Sequence, residues 1–223
     1  MKIGLIYTST TLELIELVEK EVRFQLGEDI TLLSYEDPSI LADTRAAGYV
    51  TPSAAIKLIS LYLKAANDGA VAILNLCSSV GEVADCVQDM AKYIGIPIVR
   101  VDEEMCRDAV RRGSVIAVLA TLPTTLEPTK NTLKRVAREL GRPITLIDGL
   151  VDAFGADQDK FKSLLLEKSA EVKEQADVIL LCQGSMAYAE TTISSAHNIV
   201  TLSSPRYGAA ALKSALISLG LLS

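Results

Sequence analysis

The sequence predicts an α/β fold of two pseudo-symmetric lobes, each a parallel sheet flanked by helices and related by internal duplication. Three observations predict it. Short apolar runs rich in Ile, Val and Leu alternate with amphipathic segments along the whole chain, the pattern of strands buried on both faces between helices. The chain also repeats itself: Thr10–Leu33 and Thr124–Ile147 are identical at 11 of 24 positions at a constant offset of 114. Finally, the run from Val71 to Ser79 is echoed by Asp177 to Ser185, so that Cys77 and Cys182 match at an offset of 105.

Taken in order, the strands are expected at Ile3–Tyr7, Ile30–Leu33, Val71–Leu76, Ile98–Val101, Ser114–Ala120, Ile144–Ile147, Val178–Leu181 and Ile199–Thr201. Polar and apolar residues at three- and four-residue spacing predict helices over Leu12–Leu26, Ser53–Ala66, Val80–Ile94, Glu103–Arg112, Glu127–Leu140 and Asp159–Gln175. Gly27, Gly69, Gly95 and Gly141 stand just past helix ends, where a left-handed cap is wanted. A last helix from Pro205 to Leu222 is expected to pack back on the first lobe. The duplication then divides the chain into residues 1–95 plus 205–223 and residues 96–204. Ligands of open α/β sheets bind outside the carboxyl ends of the strands, so the expected site is a cleft between the lobes.

Composition excludes several classes. With 223 residues, 49% of them hydrophobic, the chain can bury a substantial core. Its longest apolar runs are far short of the roughly 18 residues a membrane span needs, so no membrane association is expected. The start, Met1 to Tyr7, reads as a strand and not as a signal peptide, which points to the cytoplasm. A net charge of −6 argues against nucleic acid, whose phosphates demand a basic stripe. Cys77, Cys86, Cys106 and Cys182 lack Cys-x-x-Cys spacing, and His197 is the sole histidine, so neither zinc nor a disulfide framework is supported. There is no Walker loop, no G-x-G-x-x-G and no G-x-S-x-G elbow.

Chemistry concentrates at strand ends. Thr8, Ser9 and Thr10 follow the first strand, Thr121, Thr124 and Thr125 follow its duplicate, and Ser78, Ser79 and Gln183, Gly184, Ser185 follow the two cysteines. Hydroxyls in such places commonly cap helices. Four helix N-termini converging on one cleft would also offer unpaired N–H groups to a carboxylate. A thiol at a helix N-terminus is expected to have its pKa drawn below the free value of about 8.5. One thiolate can then take a proton while an opposed thiol gives one. Cys86 and Cys106, in mid-helix, read as small buried apolar residues.

With these residues in view the chain resembles the aspartate/glutamate/hydantoin racemase superfamily. The resemblance rests on Ile6-Tyr7-Thr8-Ser9-Thr10-Thr11, Leu76-Cys77-Ser78-Ser79, Val118-Leu119-Ala120-Thr121 with Thr124 and Thr125, and Leu181-Cys182-Gln183-Gly184-Ser185-Met186-Ala187. The last segment is nearest the hydantoin racemase-like branch. The resemblance implies two α/β lobes, no cofactor, and Cys77 and Cys182 as the two bases, with Ser78, Ser79, Thr121, Thr125 and Ser185 lining a carboxylate site. It implies a racemase or epimerase of a small amino acid or derivative such as a hydantoin. The partner is a small carboxylate or hydantoin substrate, and assembly as a homo-oligomer is expected. The alternatives are a decarboxylase or cis–trans isomerase of a small dicarboxylate on the same fold, and a non-catalytic small-molecule binding protein.

Overall fold

The computed structural model describes residues 1–153 and 155–222. Two compact units emerge, Met1–Val101 with Pro205–Ser223, and Asp102–Ser204. In chain order the first unit contains β1 (Lys2–Tyr7), α1 (Leu12–Leu26), β2 (Thr31–Glu36), α2 (Pro38–Ala47), α3 (Pro52–Asn67), β3 (Ala72–Asn75), a 3-10 turn (Ser78–Val80), α4 (Gly81–Cys86), α5 (Gln88–Ile94) and β4 (Ile98–Arg100). The second contains α6 (Glu103–Arg112), β5 (Val115–Ala120), α7 (Pro123–Glu139), β6 (Thr145–Leu150), α8 (Gln158–Val172), β7 (Val178–Leu181), a 3-10 segment (Gly184–Ala189), α9 (Glu190–His197) and β8 (Val200–Ser203). The final helix, α10 (Pro205–Ser218), returns to the first unit.

Each unit is built on a four-stranded, wholly parallel sheet, in the orders β2-β1-β3-β4 and β6-β5-β7-β8. The two-lobed α/β architecture with internal duplication is therefore present. The domain boundary falls after Val101 and not at residue 95, because β4 pairs with β3 and belongs to the first sheet.

Local chemistry explains the elements. Thr11 caps α1 through its hydroxyl, which accepts the Leu14 N–H at 3.2 Å. The segment Val80–Ile94, expected as one helix, divides at Val87, which ends α4 and starts α5. Two helices escaped the periodicity. Asp37 caps α2 and Pro38 opens it, whereas α9 is short and follows directly on a 3-10 segment. One face of the first sheet packs against α1 and α10, with Leu5, Leu74, Val18 and Leu212 in the core. On the other face Ile6 and Ile73 pack with Leu58 and Tyr62 of α3 and Ala84 of α4. In the second unit α6 lies on α7 as α10 lies on α1. Its other face buries Leu119, Ile179, Leu181 and Leu165.

Candidate functional site

Beyond β3, Leu76 still donates its N–H to the Ile6 carbonyl at 2.9 Å. Cys77 then stays extended (φ −124°, ψ 112°) immediately before the 3-10 turn. The residue as a whole is partly exposed. The sulfur accepts from the Thr8 hydroxyl, from the N–H groups of Ser79 and Val80, and from the Ser79 hydroxyl. This cradle was expected to lower the thiol pKa. Instead burial pushes it up, and the donors offset only part of the cost of a buried charge. At rest Cys77 is a thiol ringed by groups that would stabilise its thiolate.

A polar network lies behind it. Asn75, 1% exposed, donates to the Cys77 carbonyl at 3.1 Å and accepts from the Tyr62 hydroxyl at 3.0 Å. Tyr62 is fully buried, and burial together with the nearby Cys77 keeps its phenol protonated. Arg100, paired with Asn75 in the β3–β4 register, buries its guanidinium against Gly81 and binds Asp85 at 2.6 Å. None of these was singled out in the sequence. The signals were a lone Asn inside an apolar run and an Arg ending a strand.

The second unit differs by one residue. Ile3 pairs with Ala72 and Ile6 with Asn75, while Ile116 pairs with Val178 and Leu119 with Leu181. The structural offset between β3 and β7 is thus 106, not the 105 that aligns the cysteines. The Cys182 N–H donates to the Leu119 carbonyl at 3.0 Å, as Leu76 does to Ile6. Cys182 therefore holds the position of Leu76, and Gln183 that of Cys77. Successive side chains alternate between faces along a strand, so the slip turns Cys182 inward. It is fully buried and shares a hydrogen bond with the Thr129 hydroxyl of α7, and burial drives its pKa far upward. The expectation of two thiols at equivalent strand ends is corrected accordingly.

Gln183 precedes its 3-10 segment as Cys77 precedes its own. Its amide oxygen accepts the Thr121 N–H at 2.9 Å and its NH2 donates to the Thr121 hydroxyl at 2.5 Å. Thr121 follows β5 as Thr8 follows β1, so the Thr8–Cys77 contact is answered by Thr121–Gln183.

The remaining residues divide. Thr8, Ser78 and Ser79 are buried around Cys77. Ser9 is exposed, and Thr10 donates to Glu36 at 2.8 Å. Thr125 is buried in the first turn of α7, and its carbonyl accepts from Thr129. Gly184 and Ser185 are partly exposed beside Gln183. Cys106 is buried as expected, but Cys86 is exposed, because it ends α4 and does not sit mid-helix. Among the described residues no group of three or more His, Cys, Asp or Glu could hold a metal, and no helix is long and apolar enough to cross a membrane.

The profile of the Asp/Glu/hydantoin racemase family matches residues 3–212. No curated protein sequence matches significantly. Among solved structures the chain is similar to allantoin racemase from Klebsiella pneumoniae, at 17% identity and a TM-score of 0.69, covering 100% of this chain and 89% of that one. Glutamate racemase from Thermus thermophilus gives 18% identity and a TM-score of 0.70, over 100% and 82% of the two chains. An unliganded arylmalonate decarboxylase gives 15% and 0.57, over 95% and 92%. These likenesses carry the fold, and the profile carries the assignment: the chain belongs to the Asp/Glu/hydantoin racemase family, a family of isomerases.

Proposed function

We propose that the protein is a cofactor-independent racemase or epimerase of a small amino acid or derivative, such as a hydantoin, with Cys77 as its proton carrier. One observation carries this reading. Cys77 is a partly exposed residue whose sulfur is surrounded by the Thr8 and Ser79 hydroxyls and two N–H groups. A sulfur so placed removes a proton from a carbon next to a carboxyl or carbonyl group, and the donors stabilise the thiolate that must precede the step. Ser78, Ser79, Thr121, Thr125, Gln183, Gly184 and Ser185 are the candidate contacts to the substrate's polar groups. The four cysteines are free, which fits the reducing cytoplasm as the working compartment.

A second reading is favoured by the slipped position of Cys182. One thiol suffices to protonate a carbanion left by loss of carbon dioxide, as decarboxylation of a malonate-type acid requires. Proton NMR in D2O over amino acids, hydantoins, hydroxy acids and malonates tests both. Cys77-dependent loss of an α-proton signal supports the first reading, and release of carbon dioxide from a malonate supports the second. Exchange that persists in Cys77→Ala overturns the assignment of Cys77, and binding without turnover leaves a non-catalytic binding protein.

A further inference from the structure

Resting on the reading of Cys77 as proton carrier, we infer that Gln183, and not Cys182, holds in the second unit the position that Cys77 holds in the first, so that the chain presents a single strand-end thiol for chemistry. Strand register sets the two residues apart. Two strands of the same topology begin in step, Val71 and Asp177 each donating an N–H to the first strand of its unit. The second reaches its cysteine one residue sooner. A strand shifted by one residue presents its side chain to the opposite face. Burial follows that alternation: Cys77 and Gln183 are partly exposed, while Leu76 and Cys182 are buried.

The partners follow it too. Cys77 and Gln183 each engage the threonine that follows the neighbouring strand, Thr8 and Thr121. Cys182 instead meets Thr129 within the layer beneath α7. The buried network behind Cys77 has no counterpart in the second unit among the described residues. Leu181 takes the place of Asn75, and Ser203, bonded to Glu190, takes that of Arg100.

A carboxamide does not titrate, so Gln183 cannot accept the substrate proton. Held by Thr121 at its oxygen and at one N–H, it keeps a second N–H to donate to a carboxylate or carbonyl oxygen. In the reaction, the Cys77 thiolate takes the α-proton and the C–H electron pair passes into the adjacent carbonyl or carboxyl group. The S–H then returns a proton, or a deuteron gained from solvent, to the same face of the carbon. Return to the same face gives exchange with retention; inversion, which a racemase requires, has the planar carbanion take its proton from a solvent water on the opposite face, and the hydroxide left behind takes the proton of the Cys77 S–H, restoring water and the thiolate.

The test is timed iodoacetamide labelling of the folded protein, with peptide mapping, on wild type and Gln183→Cys. The inference requires Cys77 to label at least about tenfold faster than Cys182. It also requires the thiol introduced at position 183 to label at a rate within about tenfold of Cys77. Labelling of Cys182 as fast as Cys77 in protein of unchanged circular dichroism overturns it. So does protection of the introduced thiol in a folded variant. Should Gln183→Cys fail to fold, the ratio of Cys77 to Cys182 in wild type decides alone. A Cys77 that resists reagent while Cys86 reacts would instead remove the reading of Cys77 as proton carrier, a distinct result.

Discussion

The side-chain amide of Asn75 bridges the Tyr62 hydroxyl and the Cys77 carbonyl, at 3.0 and 3.1 Å, in a layer from which water is excluded. The bridge fixes the peptide from which the 3-10 turn departs, and hence the direction in which the Ser79 and Val80 N–H groups point. Replacing Asn75 by Leu leaves the buried Tyr62 hydroxyl without its acceptor and the Cys77 carbonyl with the Val80 N–H alone, at 3.4 Å. An unsatisfied buried polar group costs about 1–3 kcal/mol, so urea unfolding of Asn75→Leu is expected to show a loss of that order or more. Tyr62→Phe, which removes one hydrogen bond and keeps the ring, is expected to cost about 1 kcal/mol. Equal losses in the two variants would show that Asn75 acts through packing alone.

Gly81 gives a second test of the same layer. A Cβ there would stand 2.5 Å from Nη2 of Arg100, although the backbone at Gly81 is ordinary right-handed helix. The clash is with a buried guanidinium that Asp85 holds in place. Gly81→Ala is therefore expected to lose about 1–3 kcal/mol by overpacking. The double variant with Arg100→Ala, which clears the space, is expected to show a strongly non-additive loss in thermal melts. Additive losses would mean that the two residues do not compete for one volume.

Much of the fold was legible because buried parallel strands and amphipathic helices write their periods plainly. α1 and α6 have the limits that spacing alone predicts. α2 was missed because its signal is a cap and a proline, not a stripe. The site was legible in part. Cys77, Thr8 and Ser79 are strand-end residues in a repeat, and they do meet. Cys182 matches Cys77 by identity of residue and not by identity of register. A single residue fewer between Asp177 and the cysteine is invisible to composition and decides which way the side chain points. Asn75 and Arg100 were hidden for another reason: a polar residue in an apolar run declares itself only through the partner that satisfies it.

Glu103 joins α6 to α7 by accepting from Arg135 at 2.5 and 3.1 Å and from Arg107 at 2.8 Å. Partial burial opposes its ionisation, yet the two guanidinium groups prevail and hold its carboxyl below the ordinary range. A carboxyl with a depressed native pKa stabilises the fold above its unfolded pKa and loses that contribution as pH falls through the native value. Glu103→Gln is thus expected to cost about 1 kcal/mol at pH 7. The difference from wild type is expected to shrink below about pH 4, where the unfolded carboxyl is protonated. A constant difference across that range, in melts at fixed ionic strength, would assign the effect to packing.

Alkaline pH acts with the opposite sign, through groups buried in their neutral forms. Burial raises the pKa values of Cys77, Cys182, Tyr7 and Tyr62. Below the unfolded values, about 8.5 for a thiol and 10 for a phenol, each is protonated in both states and contributes no pH dependence. Above them the unfolded chain releases protons that the native chain retains, so the unfolded state binds fewer and stability falls as pH rises. The fall is expected to begin near pH 8.5, where the thiols act first, and to steepen toward pH 10 as the phenols join. Burial shifts both thiols upward, and Cys182→Ala and Cys77→Ala are each expected to flatten the first part of the curve. Guanidinium unfolding of the three proteins between pH 7 and 10 measures it. A wild-type stability that is level over that interval would show that the thiols ionise as readily in the fold as out of it.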